Sequence, residues 1–285
     1  MSRVCQRCAA FLLSLSAAAS AHPVTITVKG SDSLVLVAQK WAETYAGKHP
    51  EAKTKIRVAG GGTGAGFAAL RNRWVDLAAA SRPMKPGEIA ECVDSFGKRP
   101  TEYKVCLEGL SVYVHEDNPV RELTLGQLKR IFSGQIKDWS QVGGHEAPIT
   151  VYGREASCDT HEFFKELVLD SADLAAGAQP VAGTAALLRA VSRDKNGIGY
   201  GGAACGPGAR TLKIKKDSGS SAIEPTEENV LKGLYPIWRY LYLYVNPAFD
   251  RGEIAAYLRW IRSDEGQEVV KDAGYFPLPA HLREN

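Results

Sequence analysis

Gly60-Gly61-Gly62-Thr63-Gly64-Ala65-Gly66 follows the short apolar run Ile56-Arg57-Val58 and leads into a helical run beginning at Phe67. Two more turns are built the same way. Gly30-Ser31-Asp32-Ser33 follows Val24-Thr25-Ile26-Thr27-Val28, and Gly153-Arg154-Glu155-Ala156-Ser157-Cys158-Asp159-Thr160 follows Ile149-Thr150-Val151-Tyr152. A strand that enters a helix through such a turn leaves the first helical N–H groups unpaired and pointing outward. Together with the helix dipole, those amides favour an anion. Three such turns, carrying hydroxyls and one arginine, predict several helix N-termini converging on one small oxyanion. That is a binding site rather than a reaction centre.

The glycine run is not a nucleotide motif. Ala65 and Phe67 break the Gly-x-Gly-x-x-Gly spacing, and no Gly-Lys-Ser/Thr ending is present. Arg154 at the start of an anion turn presents a planar fork suited to a tetrahedral oxyanion. Ser33, Thr63, Ser81, Ser157 and Thr160 could equally be helix caps, and the two roles are compatible because both put a hydroxyl at the same helix end. Asp159, His161 and Ser157 lie close in sequence, but residues so near one another at a helix start point in different directions. No Gly-x-Ser-x-Gly elbow is present, so a hydrolase is a remote alternative.

The chain of 285 residues is long enough for one large or two medium domains. Its 45% hydrophobic and 24% charged residues are those of a soluble globular protein. A net charge of +3 without a Lys/Arg block argues against nucleic acid. Residues 1–21 read as a signal peptide. A basic start through Arg7 precedes an apolar stretch from Ala9 to Ala19 that is too short to span a bilayer, and Ala19-Ser20-Ala21 supplies small residues for cleavage. The mature chain is expected to begin at His22, exported and not membrane-embedded.

Cys5 and Cys8 fall in the segment to be removed, leaving Cys92, Cys106, Cys158 and Cys205. An even count in an oxidising compartment favours disulfides. Cys92 and Cys106 flank the turn-rich segment Asp94 to Thr101 and are expected to pair, with Cys158–Cys205 as the remaining pair. The spacings match no zinc pattern and the histidines are scattered, so no metal site and no cofactor are expected.

Strand-like and helix-like runs alternate almost throughout, which predicts α/β architecture with mostly parallel sheets flanked by helices. Leu34, Val37, Ala38, Trp41 and Tyr45 repeat at helical spacing. Long strands near 107–115 and 238–245 are candidates for crossings between two lobes. The expected organisation is 22–110 as the first part of lobe 1, 111–237 as lobe 2 and 238–285 as the return to lobe 1. A cleft would lie between the lobes and close by hinge motion.

The chain resembles the phosphate-binding subunits of bacterial phosphate ABC transporters, within the periplasmic binding proteins of type II-like fold. The resemblance covers residues 24–279. It is carried by Lys29-Gly30-Ser31-Asp32-Ser33 with Gln39-Lys40-Trp41-Ala42-Glu43, by Gly60 to Gly66, by Ala80-Ser81-Arg82-Pro83-Met84-Lys85 and by Leu128 to Trp139. Gly153-Arg154-Glu155, Gly197-Ile198-Gly199-Tyr200 and Ala273-Gly274-Tyr275 to Pro279 complete it.

The resemblance implies a buried, dehydrated phosphate. It is held from lobe 1 by Ser33 (hydroxyl), Leu34 (amide), Thr63 and Ser81, and from lobe 2 by Arg154, Ser157, Cys158, Asp159 and Thr160. It further implies a monomeric, non-enzymatic periplasmic receptor that delivers inorganic phosphate or a close oxyanion to the membrane subunits of an ABC transporter. The alternative is a same-fold receptor for another oxyanion, or one that serves a membrane sensor. The family's usual Gly-Arg-Glu-x-Gly/Ser-Ser-Gly-Thr turn has Ser and Gly where this chain has Cys158 and Asp159. The family's first-lobe aspartate falls at Ser81 here. Asp159 could replace that acceptor from the opposite lobe, or could merely cap the helix from Thr160.

Overall fold

The computed structural model describes residues 24–156, 158–202 and 207–283. The first segment runs β1 (Thr25–Gly30), α1 (Asp32–Lys48), β2 (Lys55–Ala59), α2 (Thr63–Arg71) and β3 (Leu77–Ala80). Both β2 and β3 lie parallel to β1. Next come α3 (Pro86–Phe96) and β4 (Thr101–His115). The middle of the chain adds β5 (Glu122–Thr124), α4 (Leu125–Phe132), β6 (Thr150–Arg154), α5 (Asp159–Val168), β7 (Gln179–Val181), α6 (Gly183–Val191), β8 (Gly197–Gly202), β9 (Ala209–Thr211), β10 (Lys213–Lys215) and α7 (Glu227–Leu231). The chain returns through β11 (Trp238–Val245), α8 (Gly252–Arg262) and α9 (Asp264–Asp272).

The main sheet has the order β2-β1-β3-β11-β4-β8-β6-β7, with β9 also pairing β4, and β5 and β10 form a small separate pair. It is mixed. β11 is antiparallel to both β3 and β4, and β4 is antiparallel to β8 and β9. The 15-residue β4 pairs with β11 over its first half and with β8 over its second, so it carries the chain from one lobe to the other.

Alternation along β11 explains the layering on the first side. Leu241, Leu243 and Val245 pack with Ile26, Leu34, Val37 and Trp41, whereas Tyr242 and Tyr244 pack with Phe67, Leu70, Met84 and Cys92. Helices therefore cover both faces. The α1 face predicted from periodicity is the buried one, including Leu34, Val37, Ala38, Trp41 and Tyr45. The C-terminal helices close this side. Trp41 Nε1 donates to the Gly266 carbonyl at 2.8 Å, and Gln267 Nε2 donates to the Val105 and Ile261 carbonyls at 2.9 Å each. The second lobe has its own core, built around Phe132, Trp139, Phe164, Ile198 and Tyr200.

The glycine run has a packing reason. A Cβ on Gly66 would lie 2.7 Å from the Lys29 carbonyl oxygen and 2.8 Å from the Gly30 Cα, so only glycine lets α2 press against β1. Helix α2 begins at Thr63 rather than Phe67, and β4 begins at Thr101 rather than Leu107.

The expected Cys92–Cys106 disulfide is overturned: both thiols are free and buried. The turn-rich segment between them is instead the end of α3 and the start of β4. Cys92 consequently lies on the buried face of α3, packed with Phe67 and Met84, and Cys106 faces the other layer with Leu241 and Val105. Cys158 is also free, and its expected partner Cys205 lies outside the described residues, as do residues 1–21, expected from the sequence to be a signal peptide. Among the described residues, no helix is long and apolar enough to cross a membrane.

Candidate functional site

The first turns of α1, α2 and α5 meet between the lobes. The Asp32 N–H donates to Asp159 Oδ2 at 3.1 Å, joining α1 to α5 across the cleft. Asp32 Oδ1 in turn accepts from the Gly61 N–H at 2.9 Å, which holds the glycine turn against the start of α1. Cys158, not Asp159, is the N-cap of α5, and its side chain makes no capping bond. Asp159 is therefore not a helix cap. Its carboxylate reaches out to the opposite lobe.

Thr63 and Ser81 sit together. Their hydroxyl oxygens are 3.1 Å apart, and the Ser81 N–H donates to Thr63 Oγ1 at 3.1 Å. Both residues are buried. They line a cavity of about 490 Å³ with Gly61, Gly62, Lys85, Asp159 and Arg239. A second cavity of about 440 Å³ lies on the other side of Asp159, lined by Ser33, Arg154, Cys158, Thr160, Thr184 and Tyr275 among others. Asp159 borders both. The structure thus brings Ser33, Thr63, Ser81, Arg154, Cys158, Asp159 and Thr160 to one cleft but distributes them on two sides of one carboxylate. Leu34 differs: its side chain is in the core, and its N–H donates to the Ser31 carbonyl at 3.1 Å. Ser157 lies outside the described residues.

The charges around the cleft are unequal in their needs. Arg82 is held by Glu88 through two bonds of 2.8 Å, and that guanidinium keeps the Glu88 carboxyl below its ordinary range. Arg239 is paired with Glu108. Arg154 has no such partner among the described residues, and its Nε is buried without any hydrogen bond. A buried guanidinium donor left unpaired carries a large desolvation cost, which an incoming anion would offset.

Arg154 stands at the end of β6, beside a packed aromatic support. Tyr200 stacks on Phe164 with centroids 3.7 Å apart, and its hydroxyl lies 3.1 Å from His161 Nδ1. Burial drives the His161 pKa below its ordinary value.

Sequence reading did not single out Asp32, Glu108 or Arg239. Each had a visible signal. Asp32 lies inside the first turn motif. Glu108 and Arg239 are lone charges within otherwise apolar strand sequences, VCLEGLSVYV and WRYLYLYV.

A two-lobed α/β fold with a polar cleft at converging helix N-termini defines a solute-binding protein. The PBP superfamily domain matches residues 16–265. The phosphate-binding protein PstS of Pseudomonas aeruginosa is 34% identical over 272 residues, covering 90% of this chain and 83% of the relative. Two solved structures are similar. An ABC-type phosphate transport receptor from Vibrio cholerae has a TM-score of 0.76 at 26% identity, covering 89% of this chain and all of its own. A Clostridium perfringens structure with bound phosphate has a TM-score of 0.75 at 26% identity, covering 90% and 100%. The chain belongs to the PBP superfamily and, within it, to the family of the phosphate-binding proteins PstS.

Proposed function

We propose that this protein is a receptor that binds inorganic phosphate in the interlobe cleft and delivers it to the membrane subunits of an ABC transporter. The observation that carries this reading is the Arg154 Nε, a buried donor without a hydrogen-bond partner, in the interlobe cleft beside the starts of α1 and α5. The relatives named above as phosphate-binding and phosphate-transport proteins support the same ligand.

Ser33, Thr63, Ser81, Arg154, Ser157, Cys158, Asp159 and Thr160 are the proposed ligand set. The Leu34 amide joins it only if its bond to Ser31 is shared with the ligand. Asp159 is the acceptor for the proton that phosphate still carries near neutral pH. Residues 22–110 with 238–285 form one lobe in this proposal, and 111–237 the other. The protein acts as a monomer in the periplasm, after cleavage behind Ala21, and has no enzymatic turnover.

Calorimetric titration with phosphate, arsenate, sulfate and molybdate tests the reading. Phosphate binding tighter than micromolar, with sulfate excluded, is expected. Sulfate or molybdate binding in preference to phosphate would reassign the ligand within the same fold. Absence of binding to all four would overturn the reading.

A further inference from the structure

Arg239 occupies a place that the anion site does not by itself explain. It stands on β11 at the register position opposite Glu108 of β4, so the pair bridges the two strands that pass between the lobes. The two side chains are 9% and 8% exposed. Arg239 Nε and Nη2 donate to Glu108 Oε2 at 2.9 and 2.7 Å. Nη2 also donates to Ser33 Oγ at 2.9 Å, and Nη1 donates to the Asp159 carbonyl at 3.2 Å. The guanidinium carbon lies 4.4 Å from the centre of the Phe163 ring on α5. One planar fork therefore touches the crossing strands, the first turn of α1 and the first turn of α5.

We propose that Arg239 is a positioning residue that sets the spacing and angle between the α1 and α5 N-termini, with Glu108 fixing the plane of its guanidinium. Arg239 is charge-balanced by Glu108, whereas the Arg154 Nε is a buried donor without a partner. Arg239 instead directs further donors at protein groups of both lobes, Ser33 and Asp159. A lysine could keep the charge against Glu108, but it has no fork to reach Ser33 and Asp159 together. The proposal rests on the reading of this cleft as the anion site only for its effect on ligand, not for its effect on the fold.

The test is Arg239→Lys, examined by backbone amide exchange without ligand and by stopped-flow phosphate release. Peptides spanning 31–37 and 158–164 are expected to exchange at least tenfold faster than in the wild type, with β1 and β8 unchanged. Phosphate is expected to leave at least fivefold faster. A uniform rise in exchange across the chain, or none in these two peptides, would overturn the proposal. Should Arg239→Lys fail to fold, Phe163→Leu removes the stacking face and leaves the Glu108 pair. It is expected to speed exchange of 158–164 about threefold, and no change there would equally overturn it. If the wild type binds no phosphate, the functional reading fails while the exchange measurement still decides the role of Arg239.

Discussion

Arg154→Ala separates the anion account from a structural one, because the two predict opposite effects on the ligand-free protein. In the structure, the Arg154 Nε is buried and bonded to nothing, so no protein group loses a hydrogen-bond partner when that donor is removed. The ligand-free Tm should therefore hold or rise, since an uncompensated buried donor is removed. Binding should suffer instead. A charge-assisted hydrogen bond contributes about 1.5–3 kcal/mol, and even the lower figure is about a tenfold loss of affinity, near 1.4 kcal/mol. At phosphate equal to a hundred times the wild-type Kd, linkage stabilises the native state by about 2.7 kcal/mol, and a tenfold weaker variant keeps about 1.4. With roughly 2–4 °C per kcal/mol for a chain of this size, the phosphate-induced shift in Tm should fall from roughly 5–11 °C to about half. Differential scanning fluorimetry with and without phosphate reads both numbers. An unchanged phosphate shift removes Arg154 from the site, and a large fall in the ligand-free Tm makes it a structural residue.

Asp159→Asn keeps an oxygen able to accept from the Asp32 N–H but removes the charge that repels a fully ionised anion. Sulfate affinity should rise at least tenfold, about 1.4 kcal/mol, in competition calorimetry; unchanged sulfate exclusion ends the selectivity role. His161 is buried beside Tyr200 with its pKa lowered by burial, so the unfolded chain binds the proton more readily than the folded one. Stability should be constant above its ordinary pKa of about 6.5 and decline as pH falls below it. His161→Gln should flatten that part of the Tm-versus-pH curve, and an unaltered slope would assign the acid sensitivity elsewhere. Gly66→Ala forces a Cβ against the backbone of β1 and should cost about 1–3 kcal/mol by overpacking. Full stability by chemical denaturation would contradict the close α2–β1 contact.

Much of this fold is legible in the sequence because its signals are local. The α1 stripe of Leu34, Val37, Trp41 and Tyr45 is a 3.6-residue repeat, and the glycine turns mark where strands become helices. The ends of elements are less legible. Thr63 to Gly66 reads as turn by its glycines, yet tertiary contact with β1 draws it into α2. The cysteines show the same limit. Their number suggests pairing, but which layer Cys92 and Cys106 face depends on α3 packing across the sheet, a non-local fact.

In the candidate site, Thr63, Ser81 and Arg154 follow from motif and position. The Asp159 contact with α1 and the Arg239–Glu108 pair do not, because each joins residues more than a hundred positions apart. A lone charge inside an apolar strand is the one sequence clue to the latter. It indicates that a partner exists without naming it.

A crystal structure of the wild-type protein grown with phosphate tests the central claim most directly. The account predicts a tetrahedral ion between the lobes, bonded to the Arg154 guanidinium and to groups at the starts of α1, α2 and α5, with the Asp159 carboxylate accepting its proton. A cleft without the ion at saturating phosphate, or an ion bound away from Arg154, would contradict it.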